Sequence, residues 1–86
     1  MTTPVIVVWA DAHTSTDTWT PIEDLDQEEY LVETCGFLLP TCDGGKPEHI
    51  TVYQSRTPDD EVDGVLNIPV GMVRQLKICG PQTLVK

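Results

Sequence analysis

The chain has 86 residues, fourteen of them acidic and five basic, for a formal net charge of −9, and 40% of its residues are apolar. That apolar share excludes a disordered chain, and the length limits the fold to one domain with one small core. The charge argues against direct binding to a phosphate backbone, which needs a basic surface.

Residues 4–9 (Pro-Val-Ile-Val-Val-Trp) are β-branched and aromatic and predict a first, largely buried strand, with Pro4 at its tolerated first position. Residues 10–20, rich in Thr with Asp, His and Ser, predict a long loop. Thr20-Pro21-Ile22-Glu23 then carries a helix-start signal, Thr20 as cap, Pro21 in the first turn and Glu23 as capping-box partner, so a short helical segment is expected near 21–28.

Residues 30–39 predict the second strand, with Tyr30, Val32, Thr34 and Leu38 on one face and Leu31, Glu33, Cys35, Phe37 and Leu39 on the other. Gly36 in its middle predicts a bulge or a sharp bend. Residues 40–47 form a turn region around Asp43-Gly44-Gly45, and residues 49–55 alternate strictly as a third strand. A polar connection over 56–63 closes on the turn dipeptide Asp63-Gly64.

The stretch 64–79 reads strand, turn, strand. Val65 to Ile68 is a short apolar run, Pro69 interrupts the ladder, Gly71 supplies turn geometry near 69–72, and residues 73–78 form the last strand, with Leu76 and Ile78 on one face. Gly80-Pro81 ends it, and residues 81–86 are expected to be a tail. Five strands, a long first loop and a helical turn before the last strand are the pattern of a small, partly open β-barrel of the Src-homology or Sm type. An irregular β-sandwich is the alternative architecture.

Cys35, Cys42 and Cys79 are an odd set with no Cys-x-x-Cys pair, which fits reduced thiols; Cys35 and Cys79 are expected to pack as small hydrophobes and Cys42 to be exposed. No apolar run is long enough for a membrane span, and the N-terminus shows neither a signal peptide nor a lipidation site, so a cytoplasmic protein is expected.

Several groups are candidates for chemistry. Asp11 and His13 follow Trp9 where a strand gives way to a loop; they could form an imidazole–carboxylate pair or share a metal with Asp17, or simply organise the loop through backbone bonds. No further His or Cys stands at metal-ligand spacing, and no metal or cofactor is expected. Trp9 and Trp19 bracket the loop, as a groove wall or as core plug and lid. Two acidic clusters, Glu23, Asp24, Asp26, Glu28 and Glu29, and Asp59, Asp60, Glu61 and Asp63, are either partner-facing or solvated; neither has the spacing of a calcium loop. The chain has no Gly-x-Ser-x-Gly elbow and no phosphate loop, so no enzymatic activity is expected.

The segments Val-Val-Trp-Ala-Asp-Ala-His-Thr (7–14) with Trp19, Gly-Phe-Leu-Leu (36–39) and Ile-Pro-Val-Gly-Met-Val (68–73) resemble small uncharacterised proteins encoded in bacteriophage and prophage genomes. The resemblance spans most of the chain and implies a phage accessory product in the host cytoplasm; that family carries no known activity, so no functional residue transfers. Together with the charge, it leads to the expectation of a non-enzymatic protein that binds a basic-surfaced host protein, for instance to inhibit it. Two alternatives remain open: an oligomeric small barrel that binds or sequesters a nucleotide-like ligand, and a minor virion component.

Overall fold

A computed structural model describes residues 2–80. Seven strands appear in chain order: β1 (Pro4–Asp11), β2 (Tyr30–Leu39), β3 (His49–Tyr53), β4 (Ser55–Arg56), β5 (Val62–Asp63), β6 (Leu66–Pro69) and β7 (Val73–Ile78). Three single 3-10 turns, Ile22–Asp24, Thr41–Asp43 and Val70–Met72, are the helical elements among the described residues. Five strands make one antiparallel sheet in the order β6-β3-β2-β1-β7, and β4 and β5 form a separate hairpin. The five predicted strands are all present, and their face assignments follow from the register. The β4–β5 hairpin was not expected. Its strands are two residues long and too polar to show periodicity, and it is held by turn bonds from Thr57 N to Glu61 O (2.8 Å) and from Asp60 N to Thr57 O (3.0 Å), with Asp60 at φ 63°.

Residues directly opposite in antiparallel strands share a face. Val5 therefore lies with Gly36 and Ile78, Val7 with Thr34 and Leu76, and Leu38 with Val52 and Leu66. This inner face holds the core: Val5, Val7, Val52 and Ile68 are fully buried, and Trp9, Leu38, Ile50 and Val73 pack against them. The outer face carries a smaller cluster, with Tyr53 against Phe37 at 5.6 Å between ring centroids. Beside it, Thr51 Oγ1 donates to Asn67 Oδ1 at 2.7 Å and accepts from Lys46 N at 3.0 Å.

Gly36 carries no bulge: the β1–β2 register runs through it without a shift. It is instead the point at which β2 exchanges neighbours, since β3 pairs only with residues 37–39. A Cβ there would sit 3.0 Å from Tyr53 O and 3.3 Å from Val52 Cβ, so glycine allows β3 to cross close to β2. The bulge lies on β7, where Val8 opposes Gln75 and Trp9 opposes Val73, leaving Arg74 as the extra residue.

The two edge strands β6 and β7 are joined by only the three residues Val70–Met72. In a flat sheet their separation would be about 19 Å, four strand spacings, whereas four Cα steps reach at most about 15 Å. The sheet must therefore curl. Among the described residues no ladder joins β6 to β7, so it stays open along that side.

The helical expectation over 21–28 contracts to the single turn Ile22–Asp24, whose N-cap Pro21 makes no side-chain cap bond. Thr20 Oγ1 donates to Thr18 O at 3.2 Å instead of capping. Residues 21–29 are all exposed, and a segment this short does not hold a helix without packing. Cys35 also departs from expectation: it is exposed, because it lies on the outer face of β2 before β3 begins to pair; Cys42 is exposed, Cys79 is partly covered, and all three are free thiols. The expected tail, 81–86, lies outside the described residues.

Candidate functional site

Loop 12–29 leaves β1 at Asp11 and returns at Tyr30, two residues that are opposite each other in the ladder. Its two ends are pinned differently. At the entry, the His13 ring packs against Tyr30 at 5.3 Å between centroids with the planes tilted by 48°, and its Nδ1 lies 3.4 Å from the backbone O of Asp11. The imidazole addresses a carbonyl, so Asp11 and His13 organise the loop and form no carboxylate–imidazole pair. At the exit, Arg74 holds Glu29: Arg74 Nε lies 2.9 Å from both carboxylate oxygens, Nη2 closes the fork on Oε1, and Nη1 donates to Gly71 O at 2.9 Å. The guanidinium keeps the Glu29 carboxyl below its ordinary pKa, chiefly by these hydrogen bonds, and Glu29 in turn raises that of Arg74.

Between these anchors the loop presents apolar side chains to solvent. Trp19 is 101% exposed and Ile22 86% exposed, with Leu25 partly so. Thr16, Asp17, Thr18, Trp19, Thr20 and Leu25 line an open hollow of about 680 Å³. Asp17, Glu23, Asp24, Asp26 and Glu28 on the same loop are all exposed, and Asp26 Oδ1 accepts from Glu28 N at 2.9 Å to shape the turn back to β2. Loop 12–29 thus exposes an indole and a branched aliphatic side chain on a segment that also carries exposed carboxylates, of which Asp17 lines the same hollow as Trp19.

The two tryptophans do not form a common wall. Trp9 belongs to the core side of the sheet, where its Nε1 donates to Thr34 Oγ1 at 2.9 Å. The second acidic cluster is divided as well. Asp60 is bound by Arg56 at 3.0 Å, and Arg56 also donates to the Tyr53 hydroxyl at 3.4 Å with its guanidinium 5.9 Å from that ring centroid. Asp60 is thus a hairpin-stabilising residue, while Asp59 and Glu61 remain outward. Among the described residues no group of three or more His, Cys, Asp or Glu gathers as metal ligands, so Asp11, His13 and Asp17 are not brought together.

Ile22, Leu25 and Arg74 escaped the sequence reading, and Glu29 stood there only as a member of the first acidic cluster. Ile22 reads there as part of a helix start, and the Glu29–Arg74 pair spans 45 positions with no local signal. Comparison of the chain with protein-family models, with curated proteins and with solved structures finds no match.

Proposed function

We propose that this protein is a non-enzymatic binding module, a phage accessory protein that docks loop 12–29 onto a basic-surfaced host protein and inhibits it. The supporting observation is the fully exposed Trp19, which lines one hollow with Leu25 and Asp17 on a loop that also exposes Ile22 and the acids Glu23, Asp24, Asp26 and Glu28. Left in water, an indole and an isoleucine forgo burial worth about 1.5–3 kcal/mol for a side chain of Ile or Phe size, and a partner's apolar pocket would recover it. The surrounding negative charge, in a chain at −9, would steer a positive partner and speed encounter.

The sheet is read as the partly open barrel of the Src-homology and Sm pattern. The order β6-β3-β2-β1-β7, the 3-10 turn before the last strand and the curl it demands support that reading. In this architecture the barrel is the rigid platform and loop 12–29 is the recognition element, clamped at its exit by Arg74.

The test is affinity recovery from bacterial lysate with the wild type, with Trp19→Ala, and with a variant neutralised at Glu23, Asp24, Asp26 and Glu28. The expected outcome is one basic partner, released by salt, lost with Trp19→Ala and weakened by neutralisation. A partner retained equally by all three proteins would refute the reading.

A further inference from the structure

The molecule exposes far more surface than its size requires. Its accessible area is 6880 Å², against about 5,000 Å² expected for a folded 9.5 kDa monomer. Its radius of gyration is 16.8 Å, against about 12 Å for a compact chain of this length. Loop 12–29 supplies part of the excess. Another part is apolar and lies along the open side of the sheet, where Ile78 is 70% exposed and Leu76 39% exposed on the face that carries the core.

Among the described residues no strand pairs with the outer edge of β7, and that edge has a defined hydrogen-bonding pattern. Cys79 N donates to Pro4 O at 2.9 Å, so alternate residues Lys77 and Gln75 turn their backbone groups toward β1. Leu76 and Ile78 then direct their N–H and C=O groups outward, away from the sheet. The other edge, β6, is only four residues long and ends on Pro69, which has no N–H to offer. Charge selects the same strand. In a chain with five basic residues, β7 holds two of them, Arg74 and Lys77, and no acid, so it is where two strongly acidic copies repel least.

We propose that β7 is the docking strand for a second copy of this chain, paired antiparallel about a two-fold axis centred on Leu76. This register makes Leu76 a hydrogen-bonded pair with its own copy and places Lys77 opposite the partner's Gln75. A register centred on Lys77 would set like charges face to face. The two inner faces then join into one, with Leu76 and Ile78 of both copies forming a continuous apolar stripe. The same register sets Ile78 opposite the partner's Arg74, the residue that holds Glu29 at the root of loop 12–29. The inference does not depend on what that loop binds.

Sedimentation equilibrium at submillimolar protein tests it, with a mass of twice 9.5 kDa expected. Ile78→Pro removes one outward N–H while leaving the β1 ladder intact, and it should return the monomer with unchanged circular dichroism. Gln75→Glu should tighten the dimer and Gln75→Lys loosen it, each by roughly twofold to tenfold, because each change acts at two symmetric pairs. Added salt should tighten the dimer by screening the repulsion of the two chains. A wild-type monomer, a dimer that survives Ile78→Pro, or equal affinities for the two Gln75 variants would overturn the proposal.

Discussion

Arg74, the extra residue of the β7 bulge, closes a forked ion pair on Glu29, the last residue of the loop before β2. The two features explain each other. Without the bulge, Arg74 would occupy a ladder position; with it, the side chain is re-aimed at the root of the loop. The pair joins the last strand of the sheet to the segment that carries Trp19. Replacing Arg74 with Gln should therefore raise amide exchange across residues 26–29 and leave the protection of β1 and β3 unchanged, as read by hydrogen exchange.

The same pair sets a pH dependence. The folded-state pKa of Glu29 is lowered by Arg74, so its contribution is present above the unfolded value, near 4.5, and is lost as pH falls through the lower folded value. A carbon-detected titration of the Glu29 carboxyl should show a midpoint below 4.5 in the wild type and a return toward it in Arg74→Gln. Identical midpoints in the two proteins would show that the ion pair is not formed in solution.

Gly36 offers a test of the sheet's crossing. In an ordinary strand Gly→Ala stabilises by about 0.4–1 kcal/mol through the unfolded state. Here the added methyl meets Tyr53 O at 3.0 Å and Gln54 Nε2 at 3.2 Å. Gly36→Ala should instead destabilise by about 1–3 kcal/mol in urea unfolding, as overpacking does.

The two tryptophans should behave as opposites. Thr34→Val removes the acceptor of the Trp9 indole N–H and should cost about 1–2 kcal/mol. Trp19→Ala should change stability by less than about 0.5 kcal/mol. In Trp9→Phe, the remaining fluorescence should be that of an indole in water, fully quenched by acrylamide.

Val7 lies at the centre of the core, fully buried between Thr34 and Leu76. Val7→Ala should cost about 2 kcal/mol, two methylene-equivalents of transfer with a small cavity term. In a domain with so small a core, that loss should be visible as a clear fall in the urea midpoint.

What the sequence displayed was periodicity. Alternation at Thr34, Gly36 and Leu38, at Ile50 and Val52, and at Leu76 and Ile78 assigned each strand its face, because side-chain parity is local and survives folding unchanged. The Pro69 and Gly71 turn was equally local. The capping box at Thr20 and Glu23 was a local signal that failed, since no surface packs against residues 21–28 to hold a helix. The bulge at Arg74, its bond to Glu29 and the capture of Asp60 by Arg56 depend on register and on which loops meet, which no window of sequence contains. The candidate site was half visible: its acids and Trp19 stood out, but the separation of Trp9 from Trp19 is a property of the sheet.

The central claim is that loop 12–29 binds a basic partner through Trp19 and the loop's exposed acids. The most direct measurement is recovery of that partner from bacterial lysate by the wild type and by Trp19→Ala, side by side at low and high salt. Recovery by the wild type alone, abolished by salt, is the predicted result; equal recovery by both proteins, or a partner indifferent to salt, would contradict it.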